Sequence, residues 1–132
     1  MNIDLVDVKA QYAPLVPEFR AAFDRVLESG RFIFGPEVEG FEQEAAEYLS
    51  VPHAIGVANG TDALVLSLEA MGIGAGDEVI CPSFTFYATP EAIPPTGARP
   101  VFCDVDPETF CVTPETVRAA LTPRTKAATR AP

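Results

Sequence analysis

The chain is poor in the residues from which several kinds of site are built: it has one histidine, two lysines, three cysteines and no long apolar run. With His53 as the lone imidazole, a zinc centre has little to draw on. His53 reads as a loop residue ahead of a strand, and no metal is expected. Cys81, Cys103 and Cys111 lack C-x-x-C spacing, and two of them stand at the ends of apolar runs. They read as buried, reduced thiols and not as a disulfide frame. Basic residues are also scarce, nine against nineteen acidic, for a net charge of -10 spread along the sequence. Phosphate backbones reward a basic surface, so neither nucleic acid nor an anionic membrane is a partner through bulk charge. Any anionic ligand must be gripped locally. The start, Met1-Asn2-Ile3-Asp4-Leu5-Val6-Asp7, carries early acids and shows neither a signal peptide nor a spanning segment. The expected compartment is the cytoplasm.

What the chain does contain is the material of one modest core, with 48% apolar residues over a length of 132. Leu15 to Glu28 places Val16, Phe19, Phe23, Val26 and Leu27 at helical spacing, and Ser29-Gly30 is a helix stop. Arg31-Phe32-Ile33-Phe34-Gly35 reads as an extended link. Pro36 suits the first turn of a second helix with the stripe Val38, Phe41, Ala45 and Leu49, ended by Val51-Pro52. Residues 1–53 thus form a helical segment.

From residue 54 to 132 strands alternate with helices. Strands are predicted at Ala54–Ala58, Glu78–Cys81 and Pro100–Asp104, with a further one opening at Lys126–Thr129. Helices are predicted at Asp62–Met71, Phe84 to about Ile93, and Pro114–Leu121. Leu64, Leu68 and Met71 line one side of the first of these. Such alternation implies βαβ crossovers and a parallel sheet in an α/β fold. Pro94-Pro95 resists the middle helix, because proline removes a hydrogen bond and clashes with the preceding turn. Asp104-Val105-Asp106-Pro107 reads as a strand exit with a turn.

Two short motifs carry chemistry. In Asn59-Gly60-Thr61-Asp62 a helix starts after a strand, and its first N–H groups and partial positive charge suit a phosphate. Gly60 lets the backbone approach an anion, and the Thr61 hydroxyl can donate to it. The same residues are also ordinary helix caps, which is the plainer reading of the motif alone. In Pro82-Ser83-Phe84-Thr85-Phe86-Tyr87 aromatics follow a strand end, where open α/β sheets bind ligands. Phe84 and Tyr87 suit the core, whereas Phe86 is the candidate to stack on a flat ring. Gly72-Ile73-Gly74-Ala75-Gly76 follows a helix and lacks dinucleotide spacing, so it reads as a helix stop and turn. Lys126 opens a strand, at the wrong end for a nucleophile.

The ordered set of segments resembles the DegT/DnrJ/StrS family, the pyridoxal-phosphate-dependent sugar aminotransferases of fold type I. The matching stretches are Leu27–Ile33 with Gly35–Val38, Asn59–Leu64, Gly72–Ile80, Pro82–Phe86, Pro100–Phe102 with Asp104–Asp106, and Thr122–Ala127. The resemblance implies part of an aspartate aminotransferase-like large domain, with a parallel sheet and flanking helices. It implies that Gly60, Thr61 and Asp62 hold the phosphate of pyridoxal 5'-phosphate and that Phe86 stacks on its pyridine ring. Arg31, Phe32 and Ile33 fall near the substrate entrance of such enzymes. The implied reaction moves an amino group, with glutamate as donor, onto a nucleotide-linked keto sugar. The complete enzyme is implied to be a homodimer.

The family's Schiff-base lysine and the aspartate paired with the pyridinium nitrogen fall beyond Pro132. The expectation is therefore an amino-terminal piece, inactive by itself and with its dimer interface cut short. Thr129-Arg130-Ala131-Pro132 replaces the family's apolar continuation, as an early stop, frameshift or partial gene would. Ala54–Ala58 would also lack its pairing partner, the last strand of the large domain. Two alternatives stand beside the aminotransferase: a sugar dehydratase of the same family, with histidine in the lysine's place, and a non-catalytic remnant or binding module.

Overall fold

The computed structural model describes residues 5–129. The chain divides into two compact units, Met1–Gly56 and Val57–Pro132, and each is described by itself.

The first unit is helical. A short α1 (Val8–Tyr12) leads through a 3-10 turn into α2 (Val16–Ser29), and α3 spans Pro36–Leu49. Gly30 ends α2 in the left-handed region at φ 64°, where its N–H reaches the Val26 and Leu27 carbonyls, as the Ser29-Gly30 pair predicts. Pro36 opens α3 in its first turn. The link between the two helices turns sharply at Gly35. A Cβ there would lie 2.5 Å from the Arg31 carbonyl oxygen, so only glycine fits. On α2, Phe19, Phe23 and Leu27 keep half or more of their surface exposed.

The second unit holds α4 (Gly60–Ala70), β1 (Glu78–Pro82), α5 (Ala88–Glu91), a 3-10 turn at Pro94–Thr96, β2 (Arg99–Cys103), α6 (Pro114–Ala120) and β3 (Thr125–Ala128). The three strands form one parallel sheet in the order β2-β1-β3. β1 is central and buried along its whole length, which is why its Val79-Ile80-Cys81 run is apolar without alternation. Val79 and Cys81 pack with Leu68 of α4 and with Ile73, Ile93 and Ala98. Pro100 is tolerated because β2 is an edge strand. The Arg99 N–H bonds to the Asp77 carbonyl on the β1 side, so the next residue faces the open edge, where a missing donor costs nothing.

Two predicted elements are corrected. Ala54–Ala58 is not a strand. Extended apolar residues become a strand only by hydrogen bonding to a neighbour, and residues 54–58 pair with none of the three strands. The helix predicted from Phe84 to Ile93 shrinks to Ala88–Glu91. At its carboxyl end Pro94 and Pro95 offer no N–H to continue it and instead open a 3-10 turn, and at its amino end residues 84–87 form a loop. Smaller differences follow from the same region. Met71 caps α4 and is exposed, so the buried side of that helix rests on Leu68. Phe84 and Tyr87 are exposed and not in the core. The thiol reading holds for Cys81 and Cys103, which are buried and free, while Cys111 is free and exposed. Burial pushes the Cys81 thiol up to about 11, which leaves it a packing group.

One buried polar group organises the sheet. Glu78, only 1% exposed, begins β1. Its Oε1 accepts from Arg99 Nη2 at 2.5 Å and from Arg124 Nε and Nη2 at 2.9 and 2.6 Å, while Oε2 accepts from the Thr122 hydroxyl at 2.5 Å. The Thr122 hydroxyl, then Arg99 and Arg124, hold its carboxyl down at about 2, against an ordinary value of 4.5. Because the folded value is the lower one, the stabilisation is complete above pH 4.5 and is lost as pH falls toward 2. Acid unfolding followed by circular dichroism should show stability dropping across that window, and Glu78→Gln should flatten the slope there.

Candidate cofactor site

The orientation of α4 follows from its far end. Met71, Gly72 and Ile73 line one shallow hollow with Asp77 and Lys126, at the amino end of the sheet. An eleven-residue helix is roughly 16 Å long, about the length of a five-residue strand. α4 therefore runs back along β1, and its first turn lies toward the carboxyl end of the sheet. Phe86 follows β1 at that same end. α4 also packs against α5 and the 3-10 turn that follow Phe86. Sheet topology thus brings the Gly60 turn and the aromatic loop to one edge, the edge where α/β sheets bind ligands.

At the start of α4, Asn59 is the N-cap in extended conformation. Its Oδ1 accepts from the Asp62 N–H at 2.9 Å, and its Nδ2 donates to Asp62 Oδ2 at 3.0 Å. The capping reading is realised, and it leaves other donors of the turn without a partner. Asp62 spends its N–H on the cap. The Gly60 and Thr61 N–H groups have no hydrogen-bond partner among the described residues, and they stand at the positive end of the helix. A Cβ on Gly60 would meet no atom within 4 Å. Among the described residues no atom forbids a side chain there. Two N–H donors and the Thr61 hydroxyl are a donor set suited to a phosphate dianion.

Phe86 is 81% exposed, with its carbonyl accepting from the Thr89 N–H at 3.0 Å. Its ring is free to cover a flat ligand. Arg31, Phe32 and Ile33 belong to the other unit. Phe32 and Ile33 are exposed, while Arg31 closes its own link: Nη2 donates to the Phe34 carbonyl at 3.1 Å and lies 3.7 Å from Glu39. Among the described residues no group of three or more His, Cys, Asp or Glu could hold a metal ion, and no helix is long and apolar enough to cross a membrane.

The DegT/DnrJ/EryC1/StrS aminotransferase family matches residues 15–130, a stretch that holds helices α2 to α6, the Gly60 turn and all three strands. The chain belongs to that family. Among curated DegT/DnrJ/EryC1/StrS-like relatives, the UDP-2-acetamido-2-deoxy-3-oxo-D-glucuronate aminotransferase of Pseudomonas aeruginosa is 45% identical over 95% of this chain and 35% of its own length. The dTDP-3-amino-3,4,6-trideoxy-alpha-D-glucose transaminase of Streptomyces venezuelae is 48% identical over 96% and 33%. DesV of S. venezuelae, solved in complex with a ketimine intermediate, matches at a TM-score of 0.91 and 48% identity, over 96% of this chain and 34% of that one. NtdA of Bacillus subtilis, solved with bound cofactor PMP, matches at a TM-score of 0.81 and 38% identity, over 86% and 26%. The chain spans about a third of the length of the curated relatives it matches. The family resemblance and the partial α/β fold read from the sequence are thereby borne out.

Sequence reasoning missed Glu78, whose only signal is a charged residue opening an apolar strand. It also missed Phe110, whose ring lies 5.5 Å from that of Phe84. No local pattern marks that contact.

Replacing Asn59 by alanine should destabilise the chain by about 1 kcal/mol in denaturant titration. The same variant should retain the Gly60 and Thr61 donors, so affinity for inorganic phosphate should fall far less than in a double variant that also carries Thr61→Val.

Proposed function

We propose that the complete protein transfers an amino group from glutamate to a nucleotide-linked keto sugar, using pyridoxal 5'-phosphate held at the Gly60 turn. The carrying observation is the pair of unengaged N–H groups on Gly60 and Thr61, at the sheet edge that also presents Phe86. The names of the relatives support the substrate class, since one acts on a UDP-linked 3-oxo sugar and another is a dTDP-sugar transaminase. The PMP-bound neighbour supports the cofactor.

Pyridoxal phosphate, when bound, supplies the electron-poor ring that carries the amino group between donor and acceptor. This chain's residues supply the grip. The Gly60 and Thr61 N–H groups and the Thr61 hydroxyl bind the phosphate, and the helix dipole adds to their attraction. Asp62, tied to Asn59 through its N–H and Oδ2, keeps the turn rigid. Phe86 covers one face of the ring and excludes water from it. Arg31, Phe32 and Ile33 are assigned to the substrate side, and the complete protein works as a homodimer in the cytoplasm. Lys126 does not suit covalent attachment, since it lies on β3 near its amino end, the opposite end of the sheet from Phe86.

Two assays test this reading. A protein extended to the length of the relatives should form 2-oxoglutarate from glutamate when given a UDP- or dTDP-linked keto sugar, and residues 1–132 alone should form none. Turnover by the 132 residues, or a complete protein active only as a dehydratase, would overturn it. In the extended protein, Thr61→Val should weaken cofactor binding by roughly tenfold, the worth of one charge-assisted hydrogen bond, as read by equilibrium dialysis.

A further inference from the structure

The segment between β1 and α5 has no regular structure, yet it must hold Phe86 in place. The Ser83 N–H donates to the Cys103 carbonyl at 2.8 Å, and the Thr85 and Thr89 hydroxyls meet at 2.9 Å. The Ser83 hydroxyl donates to Asp104 Oδ1 at 3.4 Å, and the Phe86 carbonyl accepts from the Thr89 N–H at 3.0 Å. To these is added one aromatic contact, the tilted ring pair of Phe84 with Phe110 at 5.5 Å and 44°. Phe110 reaches that position through a backbone conformation that bulky residues avoid, φ 56°. The turn carrying it is closely tied. The Phe110 N–H donates to the Asp106 carbonyl at 2.8 Å, and the Asp106 N–H donates to the Cys111 carbonyl at 2.9 Å. The Asp106 carboxylate accepts from the Glu108 and Thr109 N–H groups and the Thr109 hydroxyl, at 3.1, 2.8 and 2.9 Å. Held strain of this kind needs a surrounding structure that over-determines it, and it concentrates at sites where position matters. Here the strained residue is 60% exposed, so core packing does not explain it. Its one described aromatic partner is Phe84, two residues before Phe86.

We propose that the Asp106–Cys111 turn is a brace for the ligand-facing aromatic loop, and that Phe110 is a positioning residue which fixes Phe86 through Phe84. The effect on the ring of a bound cofactor rests on the reading that Phe86 stacks on that ring; the mechanical effect on the loop does not.

The test compares Phe110→Gly, which keeps the left-handed turn and deletes the ring, with Phe110→Tyr, which keeps a ring. In the 132-residue chain, hydrogen exchange at the Thr89 amide, which donates to the Phe86 carbonyl, should quicken by about tenfold in Phe110→Gly, the loss of one aromatic pair. It should return toward the parent rate in Phe110→Tyr, with Ile80 exchange unchanged throughout. Unchanged exchange at Thr89, or equal acceleration at Ile80, overturns the brace. Affinities for pyridoxamine phosphate and for inorganic phosphate should part company in Phe110→Gly, the first falling severalfold and the second holding. Equal losses for both ligands overturn the positioning role. Phe86→Ala separates the two readings: if it leaves pyridoxamine phosphate affinity intact, ring stacking fails, while exchange at Thr89 still decides the brace.

Discussion

At the amino end of β1 the Glu78 carboxylate is withdrawn from water, where an unpartnered charge would be costly. Arg99 opens β2, and Thr122 and Arg124 lie just ahead of β3, so the carboxylate gathers the starts of all three strands onto one group. Both arginines remain largely exposed, so their charges stay hydrated while their forks satisfy the buried oxygens. That asymmetry lets a short three-stranded sheet keep a buried anion. Removing the partners would leave the acid stranded; removing the acid would release β2 and β3 at their first residues.

Register at the amino end sets what happens at the carboxyl end. With Glu78 opposite Arg99, Cys81 stands opposite Phe102 and Pro82 opposite Cys103. The Ser83 N–H then meets the Cys103 carbonyl, and the loop to Phe86 leaves the sheet beside the exit of β2. Because α4 runs back along β1, its first turn with the Gly60 and Thr61 donors arrives at the same edge. The buried ion cluster and the Gly60 turn thus stand at opposite ends of the sheet. A slip of one residue would turn Val79 and Cys81 away from Leu68 and Ile93, and would carry the aromatic loop with them.

Much of this was legible along the chain because it is local. The Ser29-Gly30 stop of α2, proline in the first turn of α3, the Asn59 cap of α4 and the apolar run of β1 each work within one or two turns of backbone. The start of α6 is likewise local, with Thr113 and Thr116 exchanging side-chain-to-backbone hydrogen bonds in a capping box. Ala54–Ala58 was misread for the complementary reason: its apolar pattern is that of a strand, but a strand needs a neighbour. Phe84 and Tyr87 failed similarly, since an aromatic after a strand can face the core or the solvent with the same local sequence.

By itself the sequence determined which residues could cap, turn and pack, and the order of motifs that marks the family. Its acidity, nine basic against nineteen acidic residues, left any anionic ligand to be gripped locally and not by bulk charge. Which donors remain free at the Gly60 turn is also local, since the Asn59 cap takes the Asp62 N–H and leaves those of Gly60 and Thr61; only tertiary structure decided that this turn and the aromatic loop reach the same end of the sheet. Tertiary structure alone also put Arg99 and Arg124 on Glu78 and Phe110 on Phe84, contacts spanning 21 to 46 residues. Their partners are chosen by sheet register and loop return, and neither leaves a pattern in the neighbouring residues.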